Sequence, residues 1–313
     1  MLQISTKHIL FYLFFFCIAK VVQGQELSLY RNYLFNNYYN LNPAAAGFDG
    51  GFISQLTASK KWIGITGSPS NQVLSNSIRL GEAEFYDPRI FINKPLINLA
   101  NRVGLGFTVF NETSGPLRNT GLLIAYAYHI PLQGARISFG LSGLIAQNTL
   151  SIGEFKPIET SIPDPVLYTN ATTYTPDINI GAMYYNQKLY AGIAVNGLLN
   201  KLRTTYPELV LNGGYRIMLN SVFKVEPSLC IVRHGQGSFL ADINAKLYYQ
   251  NRYWLLMSYQ GNSDVLAGFG IAIKGGLQLS YSYAINTTSL ASFYQGSQCI
   301  SLRADMARLI SKH

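Results

Sequence analysis

The sequence predicts an all-β protein: a transmembrane antiparallel β-barrel of about 14 strands, preceded by a signal peptide and an N-terminal periplasmic segment. Three observations predict it. Apolar and polar residues alternate in segments of roughly ten residues from Gly51 onward, the length at which a tilted strand crosses a bilayer. Only 12% of the residues are charged, about half the usual share for a soluble protein, yet the mean hydropathy is just +0.13 and no stretch after the leader nears the roughly 20 apolar residues of a membrane helix. Tyr (22), Phe (17) and Gly (28) are abundant, as interface girdles and crowded barrel walls require.

The layout follows from these signals. Residues 1–24 read as a Sec signal peptide: Lys7 and His8 precede an apolar run from Ile9 to Ala19, too short to span a bilayer. Residues 25–50 form the periplasmic, plug-like segment. Its aromatics (Tyr30, Tyr33, Phe35, Tyr38, Tyr39) are too many for a free linker, so it packs into the lumen or across the periplasmic mouth. Residues 51–304 form the barrel and 305–313 a short basic tail.

Strands are expected to start near Phe52, Gln72, Arg102, Thr120, Ala135, Asp177, Leu189, Val210, Val222, Ser238, Tyr253, Val265, Leu277 and Ser297. Val103, Leu105, Phe107 and Val109 share one face while Gly104, Gly106 and Thr108 share the other; Ile137, Phe139 and Leu141 likewise alternate with Ser138, Gly140 and Ser142. Connections fall into two length classes. Short ones at 131–134, 186–188, 220–221, 250–252 and 274–276 are expected to be periplasmic turns, and longer ones at 111–117, 151–176, 199–209 and 286–296 external loops. The long connection 82–101 breaks the rule. Glycines on the inward face either leave room for a plug or reflect plain small-residue packing. Tyr126, Tyr128, Tyr184, Tyr185, Tyr248, Tyr249, Tyr253 and Trp254, near strand ends, are expected in interfacial girdles.

No catalytic constellation is present, so the chain reads as a non-enzyme with no cofactor and no metal. His129 and His234 are expected at opposite barrel ends and cannot share an ion. Gly140-Leu141-Ser142-Gly143 is a strand pattern, not a nucleophile elbow, and Asp164 has only Glu159 nearby as a second carboxylate. Cys230 and Cys299 read as two free thiols. The net charge of +9 is unclustered, which argues for loop charge at an anionic membrane surface and against nucleic acid.

Three motifs go beyond a generic barrel. The first runs from Tyr33-Leu34-Phe35-Asn36 to Asn42-Pro43-Ala44-Ala45-Ala46-Gly47. The second places Trp62, Gly64, Gly67 and Pro69 in one stretch. The third is Gly181-Ala182-Met183-Tyr184-Tyr185 followed by Tyr190-Ala191-Gly192. With Tyr126-Ala127-Tyr128 they resemble the PorP/SprF family of type IX secretion system membrane proteins of Bacteroidota, over nearly the whole mature chain. The chain departs from that pattern at Gln25-Glu26-Leu27, in the spacing before Asn42, at Gly296-Ser297-Gln298-Cys299 and in its basic tail, which points to a dedicated paralogue.

The resemblance implies an outer-membrane location and partnership with the type IX machinery. It further implies a secreted surface protein as partner, held through that protein's C-terminal sorting domain, as in gliding motility. The external loops would supply the roughly 800 Å² per partner of a standard contact. The alternatives are a porin-like or hydrophobic-solute channel, and an anchor for the machinery's periplasmic ring.

Overall fold

The computed structural model describes residues 37–80, 102–151, 171–199, 207–234, 238–261, 264–273, 276–287 and 295–306. The expected signal peptide (1–24), residues 25–36, the connection 82–101, most of the expected loop 151–176 and the tail beyond 306 lie outside the described residues. No helix among the described residues is long and apolar enough to cross a membrane.

Two 3-10 turns (Tyr38–Asn40 and Pro43–Ala45) precede fifteen ladder segments. These are β1 (Phe52–Lys60), β2 (Ser70–Leu80), β3 (Val103–Ser114), β4 (Leu117–Leu132), β5 (Ala135–Leu150), β6 (Ala171–Asn186), β7 (Leu189–Asn196), β8 (Glu208–Tyr215), β9 (Ile217–Met218), β10 (Phe223–His234), β11 (Ser238–Tyr249), β12 (Tyr253–Gln260), β13 (Asp264–Ile273), β14 (Leu277–Asn286) and β15 (Ser297–Asp305). Apart from β8 and β9, which both pair with β10, each pairs antiparallel with its chain neighbours, and β1 pairs with both β2 and β15, so the sheet closes. Segments β8 and β9 are one strand: Gly214 pairs with Ser228 and Ile217 with Val225 in a continuous register along β10. The gap lies opposite Pro227, which has no N–H to give the ladder. The barrel therefore has fourteen crossing strands, as the alternation predicts. Seven of them begin at the expected residue, from Phe52 to Ser297.

The outer surface carries the large apolar side chains: Leu56 (52% exposed), Phe139 (54%), Leu255 (58%), Phe269 (55%) and Ile300 (50%) among many. In water so continuous an apolar surface would be an aggregation liability; around a closed barrel it is the lipid belt. The inner face carries Ser75, Thr108, His129, Ser138, Asn179 and Ser282, all buried. Cys230 and Cys299 are buried and unbridged.

Four expectations need correction. The stretch 111–117 is not a loop: β3 and β4 continue to a two-residue turn at 115–116, where Gly115 has φ +56°. Likewise β6 starts at Ala171, inside the expected loop 151–176. Here the strands rise above the lipid belt and water reaches both faces, so the ladder persists after the apolar alternation has ended. The length classes are mixed as well, since only three residues separate β10 from β11 at the end that also carries the β5–β6 connection. Finally, Tyr185 is fully buried and Trp254 points inward beneath Lys246, so neither joins a girdle. Tyr184–Tyr185 and Tyr253–Trp254 are sequence neighbours on strands, and successive side chains take opposite faces. Tyr126, Tyr128, Tyr184, Tyr249 and Tyr253 remain exposed on the outside.

Replacing the belt residue Phe269 with Arg should destabilise the folded barrel by about 2–4 kcal/mol in a urea titration in lipid vesicles, the cost of a cation facing hydrocarbon.

Candidate functional site: the segment held inside the barrel

Residues 37–47 run inside the barrel and are buried almost throughout. Asn42 caps the second 3-10 turn: its Oδ1 accepts from the Ala44 N–H (3.0 Å), and Pro43 fits the first position because its missing N–H is not needed there. The Asn42 amide Nδ2 then donates to the carbonyls of Ala182 (3.2 Å) on β6 and Ile193 (3.4 Å) on β7. Ala44 and Ala46 have no solvent exposure.

The wall makes room with glycine. A side chain at Gly104 would overlap the Ala46 carbonyl, at Gly140 the Pro43–Ala44 backbone, and at Gly181 the Asn42 carboxamide. One at Gly106 would lie 2.7 Å from the Tyr39 ring. Of the two readings open for the inward glycines, close approach of a second chain segment is the one observed. Gly47 has φ +71°, where a Cβ would also meet the Gly104 Cα at 2.9 Å.

Polar wall residues hold this segment along its length. Asn37 donates to Ser75 Oγ (2.9 Å), and Tyr39 donates to the Phe107 carbonyl (2.8 Å). Thr108 donates to Asn40 Oδ1 (2.7 Å), Ser138 to the Ala44 carbonyl (2.8 Å) and Asn196 to the Leu41 carbonyl (3.1 Å). The Gly47 N–H donates to Ser77 Oγ (2.8 Å). Burial pushes the phenols of Tyr38 and Tyr39 up from their ordinary value, so both stay protonated.

Near the end where the segment enters β1, one relay has a fixed direction. Arg79 donates to the Tyr185 hydroxyl (2.8 Å), which lies 2.8 Å from His129 Nδ1, and His129 Nε2 lies 2.8 Å from the Ala46 carbonyl. A carbonyl only accepts, so Nε2 carries a proton; in the neutral imidazole Nδ1 then accepts, and the Tyr185 hydroxyl is its donor. Asp49 is anchored by Arg303 (2.8 Å), and the neighbouring buried pair Arg216–Glu226 (2.9 Å) lies beside Tyr190.

The structure sends the motif residues to three places. Asn42, Pro43, Ala44, Gly47, Gly181, Tyr185, Tyr190 and Gly192 meet in the lumen; the Tyr190 hydroxyl is 3.1 Å from that of Tyr38, and a side chain at Gly192 would strike Asn42. Trp62, Gly64, Gly67 and Pro69 form the loop between β1 and β2, at the barrel end that also carries the β3–β4 turn, with Gly64 at φ +99° and Gly67 at φ +73°. That loop is pinned by Ile63 N–H to the Gly296 carbonyl (2.9 Å) and by Gly115 N–H to the Gly67 carbonyl (2.7 Å). Tyr126, Tyr128 and Tyr184 face lipid. Tyr33 and Asn36 lie outside the described residues. Sequence reasoning missed Arg79, His129, Ser138 and Thr108 as partners of the segment. Their one signal was a polar side chain on the inward set of positions. No cluster of three or more His, Cys, Asp or Glu residues able to hold a metal occurs among the described residues.

The family described as type IX secretion system membrane protein PorP/SprF matches residues 22–304. No curated protein matches significantly. Among solved structures, the Acinetobacter baumannii outer membrane protein Omp33 is similar at 9% identity with a TM-score of 0.48, over 81% of this chain and 96% of that one. A Pseudomonas aeruginosa FadL homologue is similar at 10% identity with a TM-score of 0.44, over 86% and 94%.

Two measurements check the lumen assignment. A His129→Phe variant leaves the Ala46 carbonyl and the Tyr185 hydroxyl short of a partner, and its stability should fall by about 1–3 kcal/mol in a chemical unfolding series. In a Gly140→Leu variant the new side chain takes the space of residues 43–44. Single-channel recording should then detect current steps where the unaltered barrel gives none.

Proposed function

The chain belongs to the PorP/SprF family of type IX secretion system membrane proteins, and on that footing we propose that it is a non-enzymatic outer-membrane accessory that helps retain one secreted partner at the cell surface. The partner is bound through its C-terminal sorting domain by the external end of the barrel. The mature N-terminus lies in the periplasm after signal-peptide removal, and the motif residues of the lumen serve to hold the internal segment in place.

One observation carries this reading: the chain's own residues 37–50 lie inside the barrel and are bonded to its wall along β2, β3 and β5. A barrel that holds such a segment in its lumen acts through its rims. At the outer rim the Trp62 loop is tied to both neighbouring loops, which makes a preorganised platform. The alternative of a porin-like or hydrophobic-solute channel has to move this segment first. The reading as an anchor for the periplasmic ring uses the opposite rim and has no observation of its own in its favour.

Deleting the gene should release the partner surface protein into the medium while its synthesis stays unchanged, as measured by whole-cell labelling and immunoblotting of the culture supernatant. Normal surface display in the deletion strain would overturn the proposal.

A further inference from the structure

On the lipid-facing side of β2 the outward positions are Leu80, Ile78, Asn76 and Leu74, and on β1 they are Phe52, Ser54, Leu56 and Ala58. The polar outer rim begins only beyond them. There Asn111 donates to Gln72 (2.8 Å) and Thr120 donates to Asn111 (3.0 Å). Asn76 and Ser54 therefore sit within the apolar belt, each flanked along its strand by apolar residues. They are also direct cross-strand partners of each other. On the far side Asn76 adjoins Phe107 (43% exposed) and Ser54 adjoins Ala304. Neither side chain makes a hydrogen bond among the described residues. The other outward belt positions of the described strands are apolar, small or aromatic.

Hydrocarbon offers a carboxamide nothing to bond, and an unmet polar group there costs several kcal/mol. An amide placed in the belt is retained when another polar chain meets it within the membrane. We propose that Ser54 and Asn76 are the centre of a contact between two copies of this chain in the membrane. A carboxamide carries both donors and an acceptor, so two Asn76 side chains related by a two-fold axis pair reciprocally. One patch then suffices for both subunits, whereas a different partner would need a complementary polar group of its own. A small residue adjoins the pair across the sheet, Ala304 on β15 beside Ser54, and it lets two walls approach closely there. The contact is independent of which secreted protein the outer rim holds.

The test is cross-linking in native membranes with a short bismaleimide. The native thiols Cys230 and Cys299 are buried inside the barrel, so a thiol at position 76 is read on its own. The Asn76→Cys chain should give a product of twice the monomer mass, and Leu229→Cys on β10, equally lipid-facing, should not. Asn76→Leu keeps the belt apolar and leaves the lumen untouched. Circular dichroism should show an unchanged β spectrum while the dimer dissociation constant in detergent, from light scattering, rises roughly tenfold. Only monomer from Asn76→Cys, or a product whose mass shows a different protein, would overturn the proposal. So would dimers that form equally from Leu229→Cys or survive Asn76→Leu undiminished. Normal surface retention of the secreted partner by monomeric Asn76→Leu would leave the reading under Proposed function standing, so the two ideas fail separately.

Discussion

A peptide group facing hydrocarbon without a hydrogen-bond partner costs several kcal/mol, and this constraint governs the whole molecule. It forces every strand to have two neighbours, so β1 must find β15 across the full length of the chain. It also confines irregular backbone to places where something else satisfies it. The interruption at Arg216 is an example: its N–H turns to the Lys188 carbonyl (2.6 Å) on the side away from Pro227.

Closure creates a lumen, and the lumen creates a second problem of the same kind. The turns of the segment inside it bond many of its own amides, but the carbonyls of Leu41, Ala44 and Ala46 and the Gly47 N–H take their partners from the wall. Ser138, His129, Asn196 and Ser77 supply them. Glycine solves the steric half of the problem. At Gly104, Gly140 and Gly181 the wall has no side chain where the segment has backbone or Asn42. The segment and the wall are thus a matched pair, and a change on one side has its cost on the other. This matching explains why Asn42 lies far from Gly181 and Gly192 in sequence and yet against both in space.

The strand count, the closed antiparallel fold and the inside-outside sorting of Val103–Val109 against Gly104–Thr108 were legible, because a period of two along the chain is itself a one-dimensional record of two environments. The approach of residues 37–50 to the lumen was legible only as one of two options, from the aromatic content of the segment 25–50. The ends of β3 and β6 were not, since Asn111, Thr113, Thr172 and Thr173 stand where water bathes both faces and hydropathy carries no period. Tyr185 and Trp254 were misassigned because a count of aromatics near strand ends ignores which of two adjacent residues points inward.

The sequence by itself determined the class of solvent and the sheet that suits it: alternating short strands, too little charge for water, too little continuous hydropathy for helices. It also carried the family's motifs. Only the tertiary structure decided where those motifs go, sending Asn42, Gly181 and Tyr185 to the lumen, Trp62 and Gly67 to a rim loop and Tyr128 to the lipid. The reason is that alternation fixes the face a residue takes but not what lies across that face. The relay from Arg79 through Tyr185 and His129 to Ala46 joins three strands and the internal segment, and such a contact exists only once the barrel has closed around it.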